Sequence, residues 1–532
     1  MTVVLALLTA TFLYGLYRLL QNFKRISVAD IPGPNPESFI IGNLRQYFQS
    51  QAGEIDLKWQ ESYGGVVRFK GSFGEDRLLV SDPKALQYIY HTAGYNFSKQ
   101  PERRELTRML TGRGIVWAEG QEHRRQRKIM DPAFSYGEIK SYVPLTAKWK
   151  EDIFTSSGQE SVFNVCTWFA RSTLDAMGVA AFDYQFGTLD NDDNELGNAY
   201  ANLGIEAFGN LSESDIIKQA LVPYLPKYVL SYIRNQVPSR RLEQLRKAYL
   251  AGYKVAKDLI DTKSKETSTG KGNRDIMSLL VRANLSEIKE TRMSEEEMIA
   301  QVRTLLLAGY ETTATTLAWT MLEIARNPEV QTKLRREIRQ KQQEIGARGD
   351  SEFTSNDFDS MPYLAAVLKE SLRLNPVSYG MYREPVKDDI LPLSKPIRTR
   401  SGKVITEIPI PKGLKIVTSI NGYHRNQDAF GPNADIYDPE RWISPDRVEK
   451  IASVGVYGNL LAFAGGVRSC IGWRFAVLEL QAFIVELVNN FEFSLTPEAR
   501  MVRREACLLM APTIEGQVEK GNQLPLAIKI AP

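Results

Sequence analysis

Residues 463–480 read Phe-Ala-Gly-Gly-Val-Arg-Ser-Cys-Ile-Gly-Trp-Arg-Phe-Ala-Val-Leu-Glu-Leu, the most informative stretch of the chain. Its last eight residues have helical periodicity and contain no Gly or Pro, which predicts a helix that starts just after Cys470. A sulfur at a helix N-terminus lies near unpaired backbone N–H groups, and these favour a thiolate. Arg468 adds positive charge two residues upstream. Cys470 is therefore predicted to be a metal ligand or a nucleophile.

The spacing around Cys470 narrows this interpretation. Taken alone, a single Cys is more often a small apolar core residue than a ligand. Two glycines before it and one after it, however, allow a tight turn and leave room for a flat, bulky group, which Phe463 can cover from one side. The pattern Phe-x-x-Gly-x-Arg-x-Cys-x-Gly closely resembles the haem-binding signature of the cytochrome P450 family, in which a Cys thiolate ligates haem iron. The resemblance implies that Cys470 binds the iron of haem b and that Phe463 and Arg468 contact the cofactor.

Composition excludes several classes of protein. The chain has 532 residues, of which 43% are hydrophobic and 24% charged, as in a globular protein with a large core. Its formal net charge of +4 is too small for a nucleic-acid-binding surface. The only cysteines, Cys166, Cys470 and Cys507, exclude a disulfide framework and are typical of a reducing compartment. Three histidines are too few for an imidazole-ligated metal centre.

Residues 1–24 are predicted to be a membrane anchor. Residues 2–17 carry no charge and the apolar run continues a little further, which gives about the 20 residues needed to span a bilayer. The alternative, a cleaved signal peptide, would begin with basic residues, whereas here Arg18, Lys24 and Arg25 come afterwards. By the positive-inside rule the rest of the chain faces the cytosol. The expected location is the endoplasmic reticulum membrane, with a single N-terminal span.

The remaining sequence predicts a mainly α (α+β) domain. Residues 25–36 form a proline-rich hinge, because each Pro removes a backbone donor and fixes φ, and residues 37–532 form the catalytic domain. A hairpin at 66–80 and short strands within 390–418 make up a small β portion drawn from both ends of the chain. The resemblance covers residues 31–532 and implies the cytochrome P450 fold, a large helical part with one long central helix.

Helical periods dominate between residues 84 and 375. Loops are expected near 267–273 and 347–358, and 239–265 is predicted to be an amphipathic helix. Ser294 and Glu297 form a capping box that opens the long central helix, and Asn327-Pro328 ends it, which gives a length of about 48 Å. A helix of that length crosses the whole domain.

The middle of this helix contains residues that disfavour helix formation. Gly309 costs about 1 kcal/mol of helix stability, and the hydroxyls of Thr312 and Thr313 can compete for backbone carbonyls. The segment is either a loosened helix with satisfied polar groups or a functional site. Residues 308–313, Ala-Gly-Tyr-Glu-Thr-Thr, resemble the oxygen-activating motif of the family. The resemblance implies two catalytic residues: Thr312, which hydrogen-bonds to dioxygen, and Glu311, which supplies protons.

The haem propionates need cationic or N–H partners. His123 and Arg127 lie one helical turn apart, which indicates either a solvated basic helix or a cofactor contact. By resemblance they occupy the family's Trp-x-x-x-Arg position, with His in place of the aromatic residue. Arg383 and Arg468 match further propionate-binding positions.

A structural network is also implied. Glu370 and Arg373 are three residues apart, as pairs on many surface helices are. Together with Arg441 they resemble the family's Glu-x-x-Arg motif and its arginine partner. The resemblance implies a buried network of these three residues that keeps the Cys470 loop in place.

The resemblance implies a membrane-bound haem-thiolate monooxygenase of the fungal microsomal type, active in specialised metabolism. Electrons from NADPH would arrive through NADPH–cytochrome P450 reductase, with cytochrome b5 as a further donor. One oxygen atom of O2 would enter a lipophilic molecule such as a terpenoid, sterol or fatty acid. Two alternatives stay open: a haem-thiolate isomerase or dehydratase that needs no reductase, and a non-catalytic haem sensor. The Glu311-Thr312 pair argues against the first, because isomerases need no oxygen-protonating residues.

Overall fold

The computed structural model describes residues 9, 13, 26–134, 148–151, 160–191, 193–209, 211–222, 225–226, 229, 239–268, 276–285 and 292–532. The predicted anchor, 1–24, lies outside the described residues except at two positions. Within the described ranges, no helix combines the length and the apolar character needed to cross a bilayer.

Helices form most of the described structure, as the sequence predicts. In chain order, the α-helices are α1 (Leu44–Gln49), α2 (Glu54–Tyr63), α3 (Pro83–Gln87), α4 (Pro101–Leu110), α5 (Gly120–Met130), α6 (Val165–Phe182), α7 (Glu195–Tyr200), α8 (Leu203–Phe208), α9 (Glu213–Leu221), α10 (Arg240–Ser268), α11 (Ile276–Leu285), α12 (Glu295–Arg326), α13 (Pro328–Ala347), α14 (Ser355–Asp359), α15 (Pro362–Leu374), α16 (Ile420–His424), α17 (Gln427–Phe430) and α18 (Trp473–Asn490).

The strands come from both ends of the chain, as predicted. They are β1 (Val66–Lys70), β2 (Asp76–Val80), β3 (Phe97–Lys99), β4 (Glu160–Asn164), β5 (Gly380–Pro385), β6 (Asp389–Arg398), β7 (Val404–Ile410), β8 (Lys415–Ser419), β9 (Phe491–Leu495), β10 (Val502–Ala506), β11 (Met510–Ile514) and β12 (Pro525–Ile530). The largest described sheet has the order β1-β2-β8-β5-β3, and a second has the order β4-β12-β9. The predicted hairpin is β1–β2, with Val66 opposite Val80.

The long central helix is α12. Its N-terminus carries the predicted capping box, in which the Ser294 hydroxyl accepts from Glu297 N–H and the Glu297 carboxylate accepts from Ser294 N–H. The helix ends at Arg326, before Asn327-Pro328. Most of its residues are buried, and it packs against α6 and α10 on one side and against α15 and α18 on the other. A mainly buried helix of this kind fixes the relative positions of the surrounding helices.

Some sequence-based boundaries were wrong. The loop predicted at 347–358 contains the start of α14, because Thr354 and Asp357 form a capping box that starts a short helix there. Two strands, β3 and β4, lie in the region predicted to be helical. Each pairs with a strand from the C-terminal half of the chain, which a local pattern does not reveal.

The proline-rich segment packs on the folded domain. Pro32 O accepts from Arg68 N–H at 2.9 Å, and Gly33 O accepts from the Arg400 guanidinium at 2.7 Å. A Cβ on Gly33 would lie 1.7 Å from Arg68 O, so only glycine fits here. The inner half of the predicted hinge is therefore held against β1.

The structure brings the predicted Glu370–Arg373–Arg441 network together. Arg373 donates to the Glu370 carboxylate at 2.8 and 2.7 Å, and Arg441 Nε lies 3.4 Å from it. Asp438 N–H and Trp442 Nε1 also donate to it, each at 2.9 Å. Both side chains of the Glu370–Arg373 pair are completely buried. The carboxylate thus joins α15 to the segment that precedes the Cys470 loop.

Arg373 and Arg441 also bind backbone carbonyls. Arg373 donates to His424 O at 2.8 Å and to Ile436 O at 3.0 Å, and Arg441 donates to Asn433 O at 2.8 Å. These bonds fold residues 424–442 around the ion pair.

We expect the substitution Glu370→Ala to lower the free energy of unfolding by about 3 to 5 kcal/mol, because it leaves buried guanidinium groups without a carboxylate. Glu440→Ala is the matched control: Glu440 forms an ion pair with Lys333 in which both side chains are about half exposed, so its loss costs about 0–1 kcal/mol. Denaturant titration followed by circular dichroism measures both. Equal effects of the two substitutions would contradict the structural role of Glu370.

Candidate active site

The Cys470 loop forms a tight turn before α18. A 3₁₀ turn spans Gly466–Arg468, and Cys470 N–H donates to Phe463 O at 2.9 Å. The helix begins at Trp473, three residues after the sulfur, so the predicted start just after Cys470 was early. Phe463 is half-buried, with its ring edge-on to Tyr457.

The glycines before Cys470 are required by the protein itself. A Cβ on Gly465 would lie 2.0 Å from Val454 O, and one on Gly466 would lie 1.8 Å from Tyr90 O. Gly466 also has a φ of +61°, which side chains disfavour. The room predicted beside these glycines is therefore occupied by backbone from two other segments. Because neither glycine has a Cβ, the loop can lie directly against this backbone.

Cys470 lies in a cleft. Its side chain is exposed, yet the surrounding protein raises the pKa of the thiol by burial, against the opposing effects of Gly472 N–H and of Arg127. A side chain that faces a cleft is accessible to solvent, and the surrounding protein still desolvates it. The prediction that the chain alone favours the thiolate was wrong, because the effect of burial outweighs those of Gly472 N–H and Arg127. The charge of a bound metal ion would deprotonate a coordinating thiol.

Arg127 and Arg468 hold the loop from two sides. A guanidinium nitrogen of Arg127 donates to Ser469 O, next to the sulfur. Arg468 donates to Phe97 O at 3.2 Å and pairs with Glu119. The charge of Arg468 is therefore directed to Glu119 and does not act on Cys470 as predicted.

A group of cations lies near Arg468. Arg383 is buried and donates to Tyr382 O at 3.1 Å. Burial lowers the pKa of its guanidinium, and the nearby charge of Arg468 lowers it further. Burial lowers the pKa of Lys99 to about 7; Glu119 opposes this effect, and Arg383 and Arg468 reinforce it. Glu119 forms ion pairs with Lys99 and Arg468, and its charge also acts on Arg383.

This group fits the carboxylates of haem. Three cations around one carboxylate leave an excess that suits two propionates. Arg468 Nε is buried and has no hydrogen-bond partner in the part of the chain that the structure describes, which is costly unless an anion or other acceptor is nearby. Arg383, Arg468 and Lys99 are therefore the residues suited to hold the propionate end of the cofactor.

His123 is buried and neutral. Burial, followed by the charges of Lys99, Arg468 and Arg127, lowers the pKa of its imidazole to about 4. Its Nδ1 lies 3.0 Å from Tyr95 Oη. With Nδ1 accepting from the tyrosine, Nε2 carries the proton and is a neutral hydrogen-bond donor. His123 can therefore donate to a propionate without adding charge.

Between its exposed first turn and Arg326, α12 is exposed only at the predicted oxygen motif. Ala308 is exposed in the middle of this mainly buried helix. Thr312 Oγ1 donates to Ala308 O at 2.7 Å and Thr313 Oγ1 lies 3.1 Å from Gly309 O, so the hydroxyls bond to carbonyls as predicted. A Cβ on Gly309 would lie 1.7 Å from Met177 Cε, the flexible end of a side chain on α6, which would have to move to admit it.

Glu311 faces the other side of the motif. Its Oε1 would lie 3.0 Å from a Cβ placed on Gly204 of α8, near Cys507 and Leu508. Burial raises the pKa of Glu311 to about 7, so near neutral pH it is partly protonated. The residue also lines a cavity of about 190 Å³ between α6, α7 and α12 that is rich in asparagine side chains. Glu311 can thus exchange protons with water in a polar cavity.

Two further segments are joined near the motif. Met510 N–H donates to Val377 O at 2.7 Å, and Tyr379 Oη donates to Cys507 O at 3.2 Å, so residues 377–379 are held to residues 507–510. The segment before Trp117 is held to α12 because Gln301 Oε1 accepts from Ile115 N–H at 3.0 Å.

Sequence reasoning missed three members of the site. Lys99, Glu119 and Tyr95 belong to no motif, and their partners lie hundreds of residues away or across an element boundary. A weak signal existed, since Lys99 and Glu119 flank the Arg-rich segment 103–113. The remaining predicted residues, His123, Arg127, Arg383, Phe463, Arg468 and Cys470, lie around the loop or the cation group.

Comparison with known proteins agrees with this geometry. The family model described as Cytochrome P450 matches residues 32–518. Cytochrome P450 monooxygenase 91 of Postia placenta is 32% identical over 497 residues, 90% of each chain. Cytochrome P450 monooxygenase 205 of the same fungus is 32% identical over 94% of this chain and 92% of its own. Cytochrome P450 monooxygenase claQ of Ampulloclitocybe clavipes is 31% identical over 97% and 96%. The sulfur-bearing loop, the cation group and these matches together establish that the chain belongs to the cytochrome P450 family, whose members are haem monooxygenases.

Proposed function

We propose that this protein inserts one oxygen atom of O2 into a lipophilic small molecule, with electrons delivered from NADPH by a separate reductase. Haem held through the Cys470 sulfur supplies the oxygen-activating chemistry. The observation that carries the proposal is that the helix following Cys470 meets α12 at its exposed motif: Thr313 Oγ1 lies 3.1 Å from Glu479 Oε2. The sulfur and the motif are thereby held on neighbouring helices.

The chain's own residues bind the propionates, orient the Cys470 loop and transfer protons. Arg383, Arg468, His123 and Lys99 bind the propionates, and Arg127 and Phe463 orient the Cys470 loop. The Thr312 hydroxyl, which donates to Ala308 O in the structure, turns toward dioxygen and donates a hydrogen bond to it. Glu311 holds a proton on its carboxyl and passes it toward that hydroxyl.

A lipophilic substrate suits the apolar lining of this region. Val116 is 45% exposed, although it lies in the segment bound to α12, and Ala308 is exposed in the middle of that helix. Apolar side chains facing a cleft favour a molecule such as a terpenoid, sterol or fatty acid. The relatives come from fungi, which supports a role in fungal specialised metabolism.

Two alternative functions require different partners and residues from those of a monooxygenase. A haem-thiolate isomerase or dehydratase needs neither reductase nor an oxygen-protonating pair, whereas Glu311 is positioned at a polar cavity that can resupply protons. A haem sensor forms no product at all. Product formation that requires NADPH, reductase and O2 together would exclude both.

A basic surface next to the Cys470 loop suits an acidic electron donor. Arg124 and Lys128 are exposed there, beside a cleft that Tyr95, Arg127, Asp131, Pro132 and Val467 also line. Arg125, which the sequence places in the same basic run, pairs instead with Glu297 of α12 and does not belong to this surface. We propose that NADPH–cytochrome P450 reductase, and cytochrome b5, bind here.

The proposed cellular setting is the endoplasmic reticulum membrane. The uncharged N-terminal run of residues 2–17, followed by basic residues, supports a single-pass anchor at 1–24 with the domain 37–532 in the cytosol. A lipophilic substrate dissolved in that membrane would be close to the enzyme.

The substitution Thr312→Ala should lower product formation on the order of 10²-fold, because the proton donor to dioxygen is lost. NADPH consumption continues, and peroxide appears in place of product. Thr320→Ala is the control, since Thr320 makes the same bond to a carbonyl one turn back but lies two turns further along α12. Product, peroxide and NADPH are measured with reductase and a substrate found by its shift of the haem absorption spectrum. Unchanged coupling in Thr312→Ala would remove Thr312 from this role.

Product formation should fall as pH rises through about 7, because the raised pKa of Glu311 means that its proton-donating form is lost there. Glu311→Gln should remove this alkaline decline and lower the rate at all pH values. Glu206→Gln in α8 serves as the control. The profile is measured under saturating reductase, and a decline that survives Glu311→Gln would show that another group titrates.

Turnover supported by reductase should fall at high salt, because screening weakens the pairing of oppositely charged surfaces. Lys128→Glu should raise the reductase concentration needed for half-maximal rate by about tenfold. Lys58→Glu, an exposed position on α2, should leave it unchanged. Rates independent of salt and of Lys128 would place the electron donor elsewhere.

A further inference from the structure

Glu479 is a buried acid that the proposed mechanism does not use. It lies on α18, nine residues after Cys470, and is 2% exposed. Its Oε2 lies 3.1 Å from the Thr313 hydroxyl, while its Oε1 is buried with no hydrogen-bond partner among the described residues. Thr313 directly follows Thr312 on α12. The acid therefore contacts the oxygen motif from the side opposite to Glu311.

Hydrogen-bond counting indicates the state of this carboxyl. The Thr313 hydroxyl has one hydrogen and lies 3.1 Å from two acceptors, Gly309 O and Glu479 Oε2. It can satisfy only one of them. If Glu479 carries a proton on Oε2, it donates to Thr313, and Thr313 donates to Gly309 O. Glu479 Oε2, Thr313 Oγ1 and Gly309 O are then all satisfied.

The surroundings agree with a neutral acid. Burial raises the pKa of Glu479 to about 8, and the Thr313 hydroxyl is the only influence that opposes it. No cation of the described chain acts on this carboxyl, in contrast to Glu370, which two arginines hold. An ionised carboxylate in such a site would be expensive to bury.

We propose that Glu479 is a positioning residue for oxygen activation: as a neutral acid it donates to Thr313 and holds the motif of α12 against the helix that follows the sulfur. The inference rests on the proposed function, which it deepens. The chain of bonds runs from Glu479 through Thr313 to Gly309 O, one residue beyond the carbonyl that accepts from Thr312. It fixes the backbone next to the catalytic hydroxyl. Misplacement of a catalytic group by about 1 Å can cost on the order of 10²-fold in rate.

The protonation of Glu479 is tested by infrared spectroscopy of the ferric holoprotein at neutral pH. A buried neutral carboxyl gives a C=O stretching band that ionised carboxylates lack. We expect the band to contain a component that disappears in Glu479→Gln and in Glu479→Leu. It should persist in Glu486→Gln, a control on the same helix whose carboxylate bonds to Asn490. A spectrum in which Glu479→Gln removes nothing would overturn the proposal.

Positioning is tested by coupling. Glu479→Leu keeps the volume but has no donor, so product per NADPH should fall on the order of 10²-fold, with peroxide in its place. Glu479→Gln keeps a donor to Thr313 and should restore coupling almost fully. Equal losses in the Gln and Leu variants would mean that Glu479 moves a proton and does not position the helix. No loss in the Leu variant would exclude both roles.

Folding is controlled separately. Thr313→Val removes the partner from α12 and should give the same loss of coupling as Glu479→Leu; normal coupling in this variant would contradict the proposal. The reduced carbon monoxide spectrum of each variant reports whether thiolate ligation is intact. Failure of the unsubstituted protein to oxidise any compound with reductase and NADPH would refute the proposed function, whereas the infrared result would still report on Glu479.

Discussion

The loop that bears Cys470 is fixed by contacts with backbone carbonyl groups, and the remaining architecture depends on them. Gly465 and Gly466 approach Val454 O and Tyr90 O so closely that no Cβ fits. Arg127 binds Ser469 O, next to the sulfur. Because Val454 O and Tyr90 O belong to the main chain, the two glycine contacts hold the loop against backbone segments, and the Arg127 side chain adds a bond to the loop's own carbonyl. A sulfur that must reach a metal ion at a set distance needs such a rigid support.

Three buried acids near this support differ in charge because their surroundings differ. Glu370 is surrounded by guanidinium groups and N–H donors and serves as a fixed anion in the scaffold. Glu311 and Glu479 have no cationic partner among the described residues, and burial raises the pKa of each. Glu311 lines a polar cavity, whereas Glu479 bonds to Thr313. In the proposed mechanism the same side-chain type thus has three roles: a structural anion, a proton donor and a neutral hydrogen-bond donor.

Local patterns predicted much of this arrangement. The capping box and the Asn327-Pro328 stop gave both ends of α12, since these signals act within a few residues. Motif spacing identified Cys470, and with Glu370 and Arg373 it identified two members of the ion-pair network. The partners of Arg468 and the role of Gly465 could not be predicted, because Glu119 and Val454 approach them only in the folded chain. The thiolate prediction failed because burial of the Cys470 thiol raises its pKa more than Gly472 N–H and Arg127 lower it.

The sheet topology determines when the strands can pair during synthesis of the chain. Strand β2 pairs with β8, so Val80 meets Thr418, and β4 pairs with β12 near the end of the chain. At about 5–20 residues per second, a ribosome needs on the order of 20 to 70 s to make the intervening segment. During that interval the β1–β2 hairpin, whose residues are almost all buried in the finished fold, has an unpaired edge. The edge of this hairpin therefore stays unpaired until β8, Lys415–Ser419, has been synthesised.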